Sequence, residues 1–148
     1  MKIKNYIALC ALALLTLAAC EKDKPLEETP YIEITSVTPT SAQAYSDTIT
    51  FTVLYRDGNG DLGENNPDVY NLFLKDGRNQ VEYKYRIQQL APDNGSAVPI
   101  QGNLLVKLAG APIINGGSSE TVTYTMYVED RAGNKSNVAT SPTITLNQ

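Results

Sequence analysis

The chain has 148 residues, room for one domain, and a formal charge of −4. It has no histidine, so it lacks the usual general base near neutral pH and the commonest zinc ligand. Its two cysteines stand at positions 10 and 20, so everything after them lacks a thiol nucleophile and a disulfide, and its acidity opposes nucleic acid or anionic lipid as the main partner.

The chain opens with Lys2 and Lys4, followed by the apolar run IALCALALLTLAA over residues 7–19. That run is shorter than the about 20 residues a bilayer span needs, and small residues end it, so residues 1–19 are expected to be a secretory signal peptide. The segment Leu17-Ala18-Ala19-Cys20 resembles the lipobox of bacterial lipoproteins. The resemblance implies cleavage before Cys20, lipidation of Cys20 and anchorage in the cell outer membrane, on its periplasmic or its surface face. The other reading is an ordinary signal peptide with a chance cysteine. Acyl chains anchor at about 0.8 kcal/mol per buried CH₂, and several on one residue hold permanently. Loss of residues 1–19 takes Lys+Arg from 12 to 10 and leaves Asp+Glu at 16, a charge of −6. Residues 20–30 carry charges and two prolines without apolar periodicity, as expected of the lipidated cysteine and a flexible tether. The charged run after Cys20 resembles the surface-export signals of Bacteroidetes lipoproteins, which implies display on the cell surface.

From residue 31 onward the pattern has period two, not 3.6. Ile49, Phe51, Val53 and Tyr55 alternate with Thr48, Thr50, Thr52 and Leu54. Val81, Tyr83, Tyr85 and Ile87 alternate with charged and amide residues, and Val122, Tyr124, Met126 and Val128 alternate with threonines and Tyr127. Such rows predict half-buried antiparallel strands. Strands are expected over 31–37, 48–56, 69–75, 81–89, 103–108, 121–130 and 138–146, with a turn at Asp76-Gly77-Arg78-Asn79. Seven strands in one domain, residues 31–148, predict an all-β, seven-stranded antiparallel sandwich. Tyr83 and Tyr85 belong to its core by parity, and Tyr127 points outward.

The stretch YTMYVEDRAGNKSN over residues 124–137 resembles the last hairpin of bacterial immunoglobulin-like and fibronectin type III-like domains. Those often carry an Asp-x-Ala-Gly-Asn-x-Ser turn. The resemblance implies an immunoglobulin-like sandwich. It implies little about function, because such folds host adhesion, spacer and carbohydrate-binding roles alike.

One loop carries chemical content: Asp57-Gly58-Asn59-Gly60-Asp61-Leu62-Gly63-Glu64, followed by Asn65-Asn66-Pro67-Asp68. Oxygen-bearing side chains at every second position, with glycines between, resemble the start of a calcium loop. Calcium takes six to eight oxygens, and glycines let a short loop curl so that alternate side chains converge. The loop departs from the helix–loop–helix calcium motif, which has Gly where Leu62 stands, Glu where Asp68 stands, and helices on both sides. The stretch resembles an Asp-Gly-Asp-Gly-Asp-Leu-Gly run found at this place in Bacteroidetes lipoproteins. Strand parity adds a second signal. The inward row 49, 51, 53, 55 continues to Asp57, and the row 122, 124, 126, 128 continues to Asp130. In an immunoglobulin-like sandwich the two loops that follow gather at one end. Two facing carboxylates need a cation or hydrogen-bond donors. A metal site would take Asp57, Asp61 and Asp130, with Asn59 and Asn134 adding oxygens. Without metal, the same residues form Asx-type turns, with Arg56 or Arg131 offsetting the charge.

These features point to a non-catalytic binding or interaction module, tied to the membrane through Cys20, with calcium as its candidate cofactor. Its partner would be an envelope protein or a glycan. A carboxylate-based hydrolase is the alternative, and would need two carboxyls about 5–9.5 Å apart across a cleft. A purely structural spacer is the third possibility.

Overall fold

The structure is a computed structural model, and it describes residues 25–92 and 96–148. The expected signal peptide, Cys20 and the first part of the tether lie outside the described residues. Among the described residues there is no α-helix, and no helix is long and apolar enough to cross a membrane.

Alternation of β-branched and aromatic residues with threonines builds the central strand, β3 (Thr48–Asp57). Its inward row Ile49, Phe51, Val53 is fully buried, while the threonines between are exposed or partly so. β3 is flanked by β1 (Tyr31–Thr38) and β6 (Ile100–Ala109), both antiparallel to it. The β3–β6 ladder runs unbroken from Thr48 opposite Ala109 to Asp57 opposite Ile100. β1 carries a bulge between Ile34 and Ser36. A second group has the order β5-β4-β8-β9, with β4 (Leu72–Asp76), β5 (Glu82–Tyr85), β8 (Tyr124–Val128) and β9 (Ala139–Thr140). A third joins β2 (Ser41–Gln43), β10 (Ile144–Asn147) and β7 (Ser119–Val122), with β2 parallel to β10.

The inward rows of all three groups meet in one core, from Ile32 to Leu146. Phe51 and Tyr124 pack edge to face, centroids 5.6 Å apart and planes at 79°, worth about 0.5–1.5 kcal/mol beyond the area they bury. Tyr83 and Tyr85 lie partly buried against this core. Val81, expected in the same row, is exposed because β5 starts only after it.

Several strands differ in extent from the alternation pattern, for local reasons. The expected strand 121–130 divides at Thr123, whose carbonyl accepts from Gly77 N. Its first half pairs with β10, its second with β4 and β9. The expected strand 138–146 breaks at Pro142, which has no N–H to donate. Just before it, Ser141 holds Tyr124 from both sides: Ser141 N donates to Tyr124 O, and Tyr124 N donates to Ser141 Oγ. The strand expected at 81–89 stops at Tyr85, because the Asn71 side chain takes over the pairing. Ile87 N donates to Asn71 Oδ1 at 2.6 Å, and Asn71 Nδ2 donates to Ile87 O at 3.0 Å. Asn137 clasps Ile32 on β1 in the same way, at 2.9 Å for both bonds. Each amide presents one donor and one acceptor, so it imitates a strand residue.

Residues 25–30 lie against the domain. Pro30 is buried, and the Glu27 carbonyl accepts from Gly58 N at 2.8 Å.

Candidate functional site: the acidic loops

β3 delivers Asp57 at the last rung of its ladder, fully buried. The loop then folds back over the core because Leu62 plugs into it, with no exposed surface. This explains a leucine where a free-standing calcium loop has glycine: the position anchors the loop. Gly60 and Gly63 sit at φ of 75° and 93°, a left-handed backbone that side chains disfavour. Methyl groups there would overlap the carbonyl oxygens of Val98 and Gln88 respectively. The loop is thus pressed against the segments on either side of it.

Asp57 Oδ2 accepts from Leu62 N at 2.8 Å. Its other oxygen, Oδ1, is buried and has no hydrogen bond of good geometry from any described residue, and the same holds for Asp61 Oδ1. Asn59 Oδ1 accepts from Asp61 N at 3.3 Å, an Asx turn within the loop. Asp130 extends the inward row of β8 and is 7% exposed. Both of its oxygens are used. Oδ1 accepts from Asn134 N at 2.8 Å, and Oδ2 from Asn134 Nδ2 at 2.9 Å. The two loops are stitched together where Arg131 N donates to Asp61 O at 3.2 Å and Arg131 Nη1 to Gly63 O at 2.8 Å.

The electrostatics follow from this placement. Burial pushes the Asp57 carboxyl above its ordinary range. The N–H groups of Leu62, Asn59 and Gly60 draw it partly back, and the charge of Asp130 raises it again. Burial also raises Asp61, followed by repulsion from Asp130 and Asp57, with Arg131 and the Ala132 N–H opposing. Three carboxylates therefore sense one another, with one guanidinium as partial offset. Arg56 lies elsewhere, over the Tyr31 ring at 5.9 Å.

Of the five residues singled out by sequence, Asp57, Asp61 and Asp130 share one electrostatic neighbourhood. Asn59 shapes the loop through its side chain. Asn134 turns its amide nitrogen, not its oxygen, to Asp130. Among the described residues, no group of three or more His, Cys, Asp or Glu side chains is arranged as it stands to hold a metal ion. The open acceptors are Asp57 Oδ1 and Asp61 Oδ1, on one loop.

Sequence reasoning missed a second charged centre. Asp76 ends β4 with no exposed surface. Arg78 grips it with Nη2 at 2.7 Å and Nε at 3.0 Å, and reaches Glu120 at 2.9 Å and the Pro112 carbonyl at 3.0 Å with Nη1. The row Leu72, Leu74, Asp76 carries the same parity signal as the rows ending in Asp57 and Asp130.

No protein-family model, curated protein or solved structure matches the chain.

Proposed function

We propose that this chain is a lipid-anchored envelope protein whose sandwich domain is a non-catalytic binding module, with calcium stiffening its two acidic loops. The observation that carries the calcium reading is the pair of buried, unpartnered oxygens, Asp57 Oδ1 and Asp61 Oδ1. An unsatisfied buried acceptor costs about 1–3 kcal/mol, more when charged. A divalent cation meets that need for both oxygens and offsets the repulsion from Asp130. Loop carbonyls and water complete the oxygen set. Asn134 joins only if its amide rotates.

The immunoglobulin-like reading rests on strand order. Taking β7 with β8 and β9 with β10 as halves of single strands, the groups β1-β3-β6 and β5-β4-β8-β9 have the fibronectin type III order. The lipid anchor rests on the Leu17–Cys20 motif. A binding role is favoured over hydrolysis by the Asp57–Asp130 pair because Asp57 has no exposed surface for a substrate to approach.

The test is a thermal melt of the chain beginning at Glu21, which retains every residue of the core. It is run in chelator, in magnesium and in calcium. Ligand at about 100 times its Kd stabilises by about 2.7 kcal/mol, so a calcium-specific rise of several degrees is expected. No rise in several millimolar calcium, a concentration that covers the weak sites of extracellular modules, defeats the metal reading.

A further inference from the structure

The sheets end in edges of unequal vulnerability. β1 is clasped by Asn137 at Ile32 and interrupted by its bulge between Ile34 and Ser36. β5 and β7 have four residues each, β2 three and β9 two. β6 is the long one: ten residues, last in the order β1-β3-β6, and no described strand pairs with its outer side. Beside it runs a groove of about 450 Å³ whose lining includes Leu72, Ile87, Leu90, Leu104 and Val106.

The direction of the unpaired groups can be read from one bond. The Tyr85 hydroxyl, on the β5 side, donates to the Lys107 carbonyl at 3.1 Å. The backbone groups of Lys107 therefore point away from β3. Strand alternation sends those of Gln101, Asn103 and Leu105 the same way. Four residues thus turn their backbone N–H and carbonyl groups outward along one line, the Lys107 carbonyl already accepting from Tyr85. Long exposed edges of this kind are templates for another strand.

We propose that β6 is the surface through which two copies of this chain pair, antiparallel about a two-fold axis at Leu105, so that one sheet runs through both. The sequence of β6 is self-complementary in that register. Leu105, 65% exposed, meets itself on the outer face. On the inner face, Leu104 meets the partner's Val106 in the close, non-hydrogen-bonded spacing, and Val106 meets the partner's Leu104. β6 has no acidic residue although the chain is acidic, and its one cation, Lys107, falls opposite the partner's Asn103. Like charges are therefore kept from facing each other. Moving the axis to Lys107 would set lysine against lysine, and a one-residue slip of either strand would turn its apolar row to the wrong face. An acidic strand from another protein would find a single lysine to attract it, whereas a second copy needs no charge. The Tyr85 phenol need not leave, because a carbonyl oxygen accepts two hydrogen bonds.

The test uses the chain from Glu21, which contains no cysteine. Sedimentation equilibrium up to ~1 mM should show a monomer–dimer equilibrium. Leu105→Lys, a change at an exposed site, should give a monomer that melts with the parent. In a directly hydrogen-bonded pair the Cα atoms lie about 5.5 Å apart, inside the about 4.4–6.8 Å a disulfide needs. Leu105→Cys should then cross-link at least tenfold faster than Val138→Cys, which is 63% exposed on another strand connection. Asn103→Lys, placing lysine opposite Lys107, should slow that cross-linking. A monomer at every concentration overturns the proposal. So does a dimer in which the Leu105→Cys and Val138→Cys chains cross-link at equal rates, since the copies would then meet through another face.

Discussion

Asp57 and Asp76 are the same residue in the same kind of place. Each ends a strand by continuing its inward row, and neither exposes any surface. Their environments are opposite. Burial pushes Asp76 up as well, but the side-chain bonds of Arg78, the Arg78 N–H and its charge outweigh burial, leaving the carboxyl below its ordinary range. Asp57 has one proper hydrogen bond and two carboxylate neighbours, and its carboxyl is raised. Burial alone therefore does not set the state of such a carboxyl. The partner does. Asp76 has a guanidinium at hydrogen-bond distance, whereas Asp57 has only N–H donors, and the charge of Arg131 offsets its neighbour Asp61 in part.

The largest effect should come from making the Asp76 end resemble the Asp57 end. Arg78→Met keeps much of the aliphatic stem but leaves Asp76 buried without its guanidinium. Removing one partner of a buried pair costs about 3–5 kcal/mol, which lowers the melting temperature by roughly 10–20 °C in a domain of this size. Adding Asp76→Asn to Arg78→Met should restore part of the loss, because the orphaned charge is gone. A single variant that melts within a degree or two of the parent would show that Asp76 needs no cation, and the contrast between the ends would collapse.

Making Asp57 neutral should bring no such loss. Asp57→Asn keeps an oxygen for the Leu62 N–H and removes the part of the repulsion on Asp61 that Asp57 supplies, leaving that of Asp130. In chelator the variant should melt no lower than the parent, because the raised carboxyl is replaced by a neutral amide. In calcium it should show no rise. Destabilisation in chelator would mean that the charge-assisted bond from Leu62 outweighs the repulsion.

The contrast also sets opposite responses to acid. A carboxyl raised in the folded state binds protons before the unfolded chain does. The folded state therefore gains stability as pH falls from neutrality towards 3.8, the ordinary value for Asp57 and Asp61. Asp76 contributes stability above 3.8 and loses it as pH falls from there through its lowered folded value. In chelator the melting temperature should thus rise between neutrality and mild acid and fall only below that. In calcium the rise should be absent or reversed, since protons compete for the same oxygens. A steady fall from neutrality in chelator would contradict the raised carboxyls.

How far these features are legible in sequence depends on range. Parity is local, so the alternating rows of β3 and β8 alone carry Asp57 and Asp130 to the rim of the core. The same rule applied to Leu72 and Leu74 reaches Asp76, yet Asp76-Gly77-Arg78-Asn79 also reads as a turn, and the turn masks the charge pair. Glu120, 42 residues from Arg78, has no local signal at all. Likewise no pattern announces that the Asn71 and Asn137 amides act as strand residues, for each closes a ladder across the fold. β2 is three residues long, too short for alternation to register, and it is held by β10 from the far end of the chain.

The smallest expected effect concerns the segment before the domain. Gly58 donates to the Glu27 carbonyl, and a methyl group at Gly58 would overlap the carbonyl oxygens of Leu26 and Glu27. Those are backbone atoms, which do not swing aside as a long side chain would. Gly58→Ala should therefore lift residues 25–30 from the acidic loop, at a cost of about 1 kcal/mol or less, the worth of one hydrogen bond. The melting temperature should barely move, because the core begins at Ile32. Protease cleavage near Glu27 and Glu28 should quicken several-fold. If the acidic loop is stiffened by calcium, the parent's segment should be better protected in calcium than in chelator, and the variant's should not. Equal cleavage rates in parent and variant would show that contacts other than the Gly58 hydrogen bond hold the segment.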